Sequence, residues 1–140
     1  MIYSKMTMHA IAALSELARH PAGKRIATAR IADAASVSRP MLTKVIAELE
    51  RSGFVRTREG RNGGVRLSDQ AASSSLRQVA DTFDRQVGLP ECPFHPDGCS
   101  CGEDKKDPCR AHALWVAARA AFDRFLDEVT IADVSESRPE

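Results

Sequence analysis

The chain has 140 residues, 43% of them apolar and 28% charged, which is enough for one domain-sized core and too apolar for disorder throughout. No run approaches 18 consecutive apolar residues, and the opening MIYSKMTMHAIAAL lacks the charged-then-apolar pattern of an export signal, so membrane spanning and secretion are disfavoured and a cytoplasmic protein is expected. The net charge of +1 hides an asymmetry: residues 1–70 carry 12 Lys/Arg against 6 Asp/Glu and residues 71–140 carry 8 against 13, so the basic half has the footprint of a polyanion-binding surface.

The first periodic segment sets Met6, Ala10, Ala13, Leu14, Leu17 and Ala18 on one helical face and ends near His20-Pro21, because Pro21 disfavours helical geometry at the residue before it. Thr28 to Ala35 reads as a short helix with Thr28 as N-cap, followed by a tight break at Ser36-Val37. Ser38 then caps a third helix with Pro40 in its first turn and an apolar stripe of Met41, Leu42, Val45, Ile46 and Leu49. Two helices so closely joined, the second presenting Arg39, Thr43 and Lys44, suit a helix-turn-helix, although such pairs also serve as plain core structure.

Gly53 closes that helix, FVRTR makes a strand, EGRNGG a turn and VRL a return strand: a two-stranded wing. Arg58, Arg61 and Arg66 sit in or beside its Gly-rich tip, where a guanidinium can reach a phosphate or the minor groove. Ser75 to Gln78 matches a capping box that opens a fourth helix with Leu76, Val79, Ala80 and Phe83 inward. The last helix is expected from Pro108, with Asp107 as N-cap, to Val129, about 33 Å at 1.5 Å per residue, and it carries a stripe of Leu114, Ala118, Ala121, Phe122, Phe125 and Val129. That is more apolar stripe than one subunit covers, and a second copy is the natural remedy.

All four cysteines fall between Cys92 and Cys109, spaced Cys92-x6-Cys99-x1-Cys101-x7-Cys109, with His112 three residues on. On a helix starting at Pro108, positions 109 and 112 share a face, and a helix N-terminus favours thiolate. In a reducing compartment such a cluster points to metal or redox chemistry rather than a permanent disulfide framework. Zinc sites usually carry C-x2-C knuckles, absent here; an iron-sulfur cluster tolerates irregular spacing; a thiol-disulfide switch needs only two neighbouring cysteines. Unmodified cysteines are the bland alternative. His9 and His20 read as surface or packing residues, and His95 as an alternative ligand. A cytosolic thiol redox enzyme is disfavoured by the absence of a C-x-x-C pair, and a structural zinc interaction module predicts stoichiometric zinc.

The order IYSKMTMHAIAAL, VSRPMLTKVIAELERSGFVRTREGRNGGVRL, C…C…C-x2-H-x2-W and TIADV resembles the Rrf-type winged-helix regulators, the group of the IscR, NsrR, RirA and CymR types, over residues 1–134. The resemblance implies a homodimeric bacterial transcription factor, usually a repressor, with long C-terminal helices crossing at the dimer interface. It also implies, in many members, a 2Fe-2S or 4Fe-4S cluster that senses iron-sulfur status, iron, nitric oxide or redox poise; other members carry none. By position, Cys92, Cys99 and Cys109 match the three cluster cysteines and His112 the fourth ligand of the IscR type. Two departures stand out: Cys101 is an extra cysteine that competes with Cys99 as middle ligand, and the region of the first helix that supplies an acidic ligand in the NsrR type has Met8 and His9 instead.

The expected fold is therefore mainly α with a small β-hairpin wing, a winged helix-turn-helix followed by a long dimerisation helix. Its divisions are a DNA-binding module over 1–70, a connecting helix over 71–87, a cysteine-rich sensor loop over 88–108, a dimerisation helix and tail over 109–134 and a disordered C-terminus over 135–140. The expected partners are a double-stranded DNA operator and a second copy. The expected metal ligands are Cys92, Cys99, Cys101, Cys109 and His112; Ser38, Arg39, Thr43 and Lys44 are expected at the major groove, and Arg58 and Arg61 at the adjacent backbone or minor groove.

Overall fold

The computed structural model describes residues 2–95 and 109–136. Six α-helices and one hairpin follow in the order α1 (Lys5–Ala18), α2 (Thr28–Ala35), α3 (Arg39–Arg51), β1 (Val55–Arg58), β2 (Gly64–Leu67), α4 (Leu76–Phe83), α5 (His112–Glu128) and α6 (Ile131–Glu136), with a 3-10 turn at Ala71–Ser73 before α4. No helix among the described residues is long and apolar enough to cross a membrane.

The local signals explain most of these boundaries. Ser4 caps α1 by accepting the Thr7 N–H at 3.3 Å, and the helix buries Ala10, Ala13, Leu14 and Leu17 as its periodicity predicts. α2 closes on Ser36, held at φ 55° in the left-handed region, and the Val37 N–H returns to the Ala32 carbonyl at 3.0 Å. This sharp reversal aims α3 away from α2 and makes the turn of the helix-turn-helix. α3 starts from Ser38 with Pro40 in its first turn and buries Leu42, Val45, Ile46 and Leu49. Thr28 is corrected from N-cap to first helical residue: Ala27, extended at ψ 137°, holds the cap position and offers no side-chain acceptor.

β1 and β2 pair antiparallel, Val55 with Leu67 through Arg58 with Gly64. Only Val55 and Val65 of this hairpin are buried, each nearly completely, so the wing is pinned to the core at two side chains and is otherwise open. A third segment joins it. Ile26 pairs with Val65 through N–H to carbonyl bonds of 2.9 and 2.8 Å, and Ile26 is itself buried. That close approach explains Gly64: a Cβ there would sit 2.6 Å from the Ile26 carbonyl oxygen, and its φ of +127° is one that L residues rarely adopt.

The Ser75 capping box forms in full, with the Gln78 N–H on Ser75 Oγ at 3.2 Å and the Ser75 N–H on Gln78 Oε1 at 2.8 Å. Leu76 and Val79 enter the same buried cluster as Leu14, Ile31, Leu42 and Leu49, so one core runs across the division expected at residue 70. Asp84, just past α4, accepts the Ser4 N–H at 2.9 Å and the buried Thr7 hydroxyl at 2.7 Å, which docks the start of α1 on the end of α4. Burial pushes the Asp84 carboxyl up, but these hydrogen bonds outweigh it and hold the carboxyl below its ordinary value.

Two expectations about the C-terminal part are corrected. α5 begins at His112 rather than Pro108, with Ala111 before it and no side-chain cap, so it spans about 26 Å at 1.5 Å per residue instead of 33 Å. The chain after α5 is a helix rather than a tail: Thr130 and Asp133 cap α6 reciprocally, with the Thr130 N–H on Asp133 Oδ2 at 2.9 Å and the Asp133 N–H on Thr130 Oγ1 at 3.2 Å. α6 packs on α1 and buries Ile131 and Ser135, so order extends past residue 134; residues 137–140 lie outside the described residues.

Candidate functional site

The N-terminal part of α3 presents Ser38, Arg39, Thr43 and Lys44 to solvent while its buried leucines and valine face the core. Thr43 Oγ1 donates to the Arg39 carbonyl at 3.0 Å. Its hydrogen is thus committed to the helix, leaving a methyl group and acceptor lone pairs on the surface. Arg58 ends β1 and Arg61 lies in the tip, both exposed; the tip is closed by the Gly63 N–H on the Gly60 carbonyl at 2.9 Å. Between helix and hairpin lies a cleft of about 570 Å³ lined by Thr28, Thr43, Ile46, Thr57, Arg58 and Arg61 among others.

The structure therefore brings Thr43, Arg58 and Arg61 to one cleft, with Ser38, Arg39 and Lys44 further along the exposed side of α3. Arg66 departs from the tip group: its Nη1 donates to the Leu67 carbonyl at 3.3 Å and lies 3.9 Å from Asp69. Three features of this surface escaped the sequence analysis. Thr28 lines the cleft from the first turn of α2. Glu50, at the end of α3, accepts both the Thr57 hydroxyl at 2.7 Å and the Thr57 N–H at 3.0 Å, which fixes the wing's angle to the helix. The Thr57 hydroxyl, then its N–H, then the nearby charge of Arg56 hold the Glu50 carboxyl below its ordinary value, so this anchor is ionised at neutral pH. Arg25 reaches the Arg56 and Gly64 carbonyls, each at 3.4 Å, from outside the hairpin.

Far from this surface in sequence, Glu91, Cys92, Phe94, Cys109, His112 and Trp115 line a compact pocket at the foot of α5, with open space of about 10 Å³. Cys92 is buried and Cys109 exposed. Cys109 precedes α5 instead of lying on it, so the helical i, i+3 pairing expected with His112 is corrected; a turn replaces it, with the His112 N–H on the Cys109 carbonyl at 2.9 Å. Trp115 Nε1 donates to the Pro90 carbonyl at 2.9 Å and holds the Cys92 segment against α5. His95 is exposed and does not line this pocket; His20 is bound to Glu16 at 3.1 Å, in keeping with a packing role. Cys99 and Cys101 lie outside the described residues.

Two thiols and an imidazole on one pocket make a donor set suited to iron or zinc. Among the described residues no group of three His, Cys, Asp or Glu is arranged to hold a metal ion.

Comparison with known proteins bears on both surfaces. A family profile described as Rrf2, iron-dependent transcriptional regulator, matches residues 3–137. The chain is 36% identical over 108 residues to the HTH-type transcriptional regulator NsrR of Geobacillus kaustophilus (strain HTA426), covering 77% of this chain and 71% of that one. In fold it is similar to CymR (YrzC), the global cysteine regulator of B. subtilis, with a TM-score of 0.74 at 20% identity over 97% of each chain. It is also similar to T. potens IscR, with a TM-score of 0.65 at 20% identity over 98% of this chain and 91% of that one. These relatives are transcriptional regulators and not enzymes, which sets the thiol redox enzyme aside.

Proposed function

The chain belongs to the Rrf2 family of transcriptional regulators, and from that premise we propose that it is a homodimeric repressor whose DNA affinity is set by the chemistry of its Cys92 to His112 region. Regulation of transcription through DNA binding is the family's function. What is particular to this chain is how its residues divide the work.

The observation that carries the proposal is the separation of two sites in one chain. The cleft between α3 and the wing gathers Thr43, Arg58 and Arg61, while two thiols and an imidazole line the pocket at the foot of α5. Ser38, Arg39, Thr43 and Lys44 face base edges in the major groove, and Arg58 and Arg61 hold the adjacent phosphates or enter the minor groove. The wing's exposed guanidinium groups add sequence-independent, salt-sensitive affinity; the helix supplies discrimination. Residues 1–70 do the reading, 71–87 connect, and the segment from 88 onward senses and dimerises.

Dimerisation is supported by what α5 leaves uncovered. Of its residues only Leu126 is buried, whereas Leu114 is 77% and Phe125 44% exposed, the two on one face of the helix. A second copy packing on this face would remove that apolar surface from water and set two recognition helices about one DNA turn apart.

The family resemblance and the donor chemistry together favour an iron-sulfur cluster held by Cys92, Cys109, a cysteine from Cys99 or Cys101, and His112. Such a cluster supplies iron and sulfide open to oxidants and nitric oxide. Around it, Trp115 would fix the Cys92 segment through Pro90, and His112 would present its ring from the first turn of α5. A thiol-disulfide switch between the same cysteines is the second reading, favoured by the exposure of Cys109 to oxidants. The deciding experiment is the visible spectrum of protein purified without oxygen, with iron, sulfide and zinc assayed on the same sample. Absorption between roughly 300 and 500 nm with iron and sulfide together supports the cluster. A colourless protein that still loses DNA affinity on oxidation gives the site to thiol chemistry, and stoichiometric zinc without colour overturns both.

A further inference from the structure

α5 starts at the cysteine pocket, with His112 and Trp115 in its lining, and ends in the protein core at Leu126. A helix with a single buried residue is weakly fixed by packing, so the polar contacts that hold it carry unusual weight. Near its start there is the Trp115 to Pro90 hydrogen bond; just beyond its end the Leu76 N–H donates to the Val129 carbonyl at 2.9 Å. Between them stands Arg77, whose Nη2 bonds Asp123 at 2.9 Å and whose Nε bonds Asp127.

This contact is unlike every other ion pair among the described residues. The pairs of Glu16 with Arg19 and His20, Glu48 with Arg51, Arg66 with Asp69, and Arg124 with Glu128 all join side chains three or four positions apart. Among these pairs of described residues, that of Arg77 joins segments some 46 to 50 residues apart. Asp123 and Asp127 lie one helical turn apart on the same face, and the planar guanidinium engages both along its Nε–Nη2 edge, one carboxylate on each nitrogen, a match that a point charge would not make. The Arg77 side chain is 28% exposed and the two carboxylates about half exposed, so the contact adds little net stability. Its two contacts lie four residues apart on one face of α5, the geometry that bears on the helix's rotation about its own axis. Arg77 sits next to Leu76, which with Val79 and Ala80 faces the core where α4 packs on α1, and α1 in turn packs on α2 and α3.

We propose that Arg77 is the positioning residue that couples the Cys92–Cys109–His112 pocket to the DNA-reading surface, by locking the roll of α5 to α4 and through α4 to the helix-turn-helix. Movement at the foot of α5 then turns Asp123 and Asp127 as a pair, and the guanidinium passes that turn to α4 instead of letting the helix slip. The inference rests on the reading of the pocket as a sensor.

The test compares dissociation constants for a duplex selected from a random pool by the wild-type protein, measured on anaerobic protein before and after oxidation with diamide. In Arg77→Gln the ratio between the two states shrinks by roughly three- to tenfold relative to wild type, the range of a modest coupling term, while the urea midpoint moves little. A charge-exchanged pair, Arg77→Asp with Asp127→Arg, recovers part of the ratio, and emission from Trp115, the one tryptophan of the chain, still changes on oxidation in every variant. An unchanged ratio in Arg77→Gln overturns the coupling and leaves the sensor reading intact. A ratio lost together with cooperative unfolding, and restored in Arg77→Lys only as far as stability is restored, shows a structural role and also overturns it. A wild-type protein whose affinity ignores diamide removes the sensor reading, and the coupling with it.

Discussion

Gly64→Ala strains the backbone and crowds Ile26 at the same position. Its φ of +127° lies in a region essentially reserved for glycine, which costs a side-chain-bearing residue about 1–3 kcal/mol. The new Cβ would also stand 2.6 Å from the Ile26 carbonyl oxygen, so the strand pair must open there. The two Ile26 to Val65 hydrogen bonds, at 2.9 and 2.8 Å, then weaken or break, each worth about 1 kcal/mol net. The expected loss is roughly 2–4 kcal/mol, a shift of about 1–2 M or more in the urea midpoint for a protein of this size. Gly23→Ala is the matched control: its φ is also positive, at +79°, but no atom lies within 4 Å of the added Cβ, so only the conformational cost of about 1–2 kcal/mol applies. Chemical denaturation and heparin elution should be measured on both. Gly64→Ala should elute at lower salt as the wing loses its angle to α3, and Gly23→Ala should elute with wild type. A Gly64→Ala protein within about 0.5 kcal/mol of wild type would refute the close-approach argument, and a destabilised one with unchanged elution would detach the wing from DNA binding.

The remaining predictions concern charge and packing. Arg58→Ala and Arg61→Ala should each weaken binding to unrelated duplexes about equally and reduce the salt slope by about one, as expected for a lost phosphate contact; anisotropy titrations at several salt concentrations check this. Asp84→Asn removes the charge from the bonds to Ser4 and Thr7 and should cost about 1–2 kcal/mol at neutral pH. Because the folded-state carboxyl is held below its ordinary value, that stabilisation is present above the unfolded carboxylate pKa and is lost as pH falls through the folded one; the gap between wild type and variant should therefore close on acidification, as read by denaturation at pH 7 and at successively lower pH. Leu126→Ala empties the one fully buried position of α5 and should cost about 2–5 kcal/mol in thermal or urea unfolding.

The winged helix-turn-helix was legible because local chemistry and tertiary structure agree there. Ser38 with Pro40, the Ser75 to Gln78 box and the RNGG tip each name their own backbone geometry, and the stripes of α1, α3 and α4 name the core. The elements that escaped have weaker local signals. Ile26 pairs with Val65 through a single residue, too short for alternation to register as a strand. Thr28 resembles an N-cap, yet the extended backbone at Ala27 takes that place, since a threonine inside the first turn is nearly as acceptable. The Thr130 to Asp133 pair did carry a capping signature, which the continuing periodicity of α5 obscured. Of the candidate site, Cys92, Cys109 and His112 do line one pocket, but the turn that joins the last two was read as helix because Asp107-Pro108 is so strong a start signal. Arg25 and Arg77 bond partners distant in sequence, and Glu50 bonds Thr57 across the break between helix and strand; single-residue patterns carry no trace of such pairs.

The most direct test of the account is the affinity of wild-type and Cys109→Ala protein for the selected duplex, each measured without oxygen and again after oxidation. The account predicts that wild type changes its dissociation constant by about tenfold or more, the scale of an allosteric coupling, and that Cys109→Ala remains a folded DNA-binding dimer with one affinity in both states. A Cys109→Ala protein that responds as fully as wild type would contradict it.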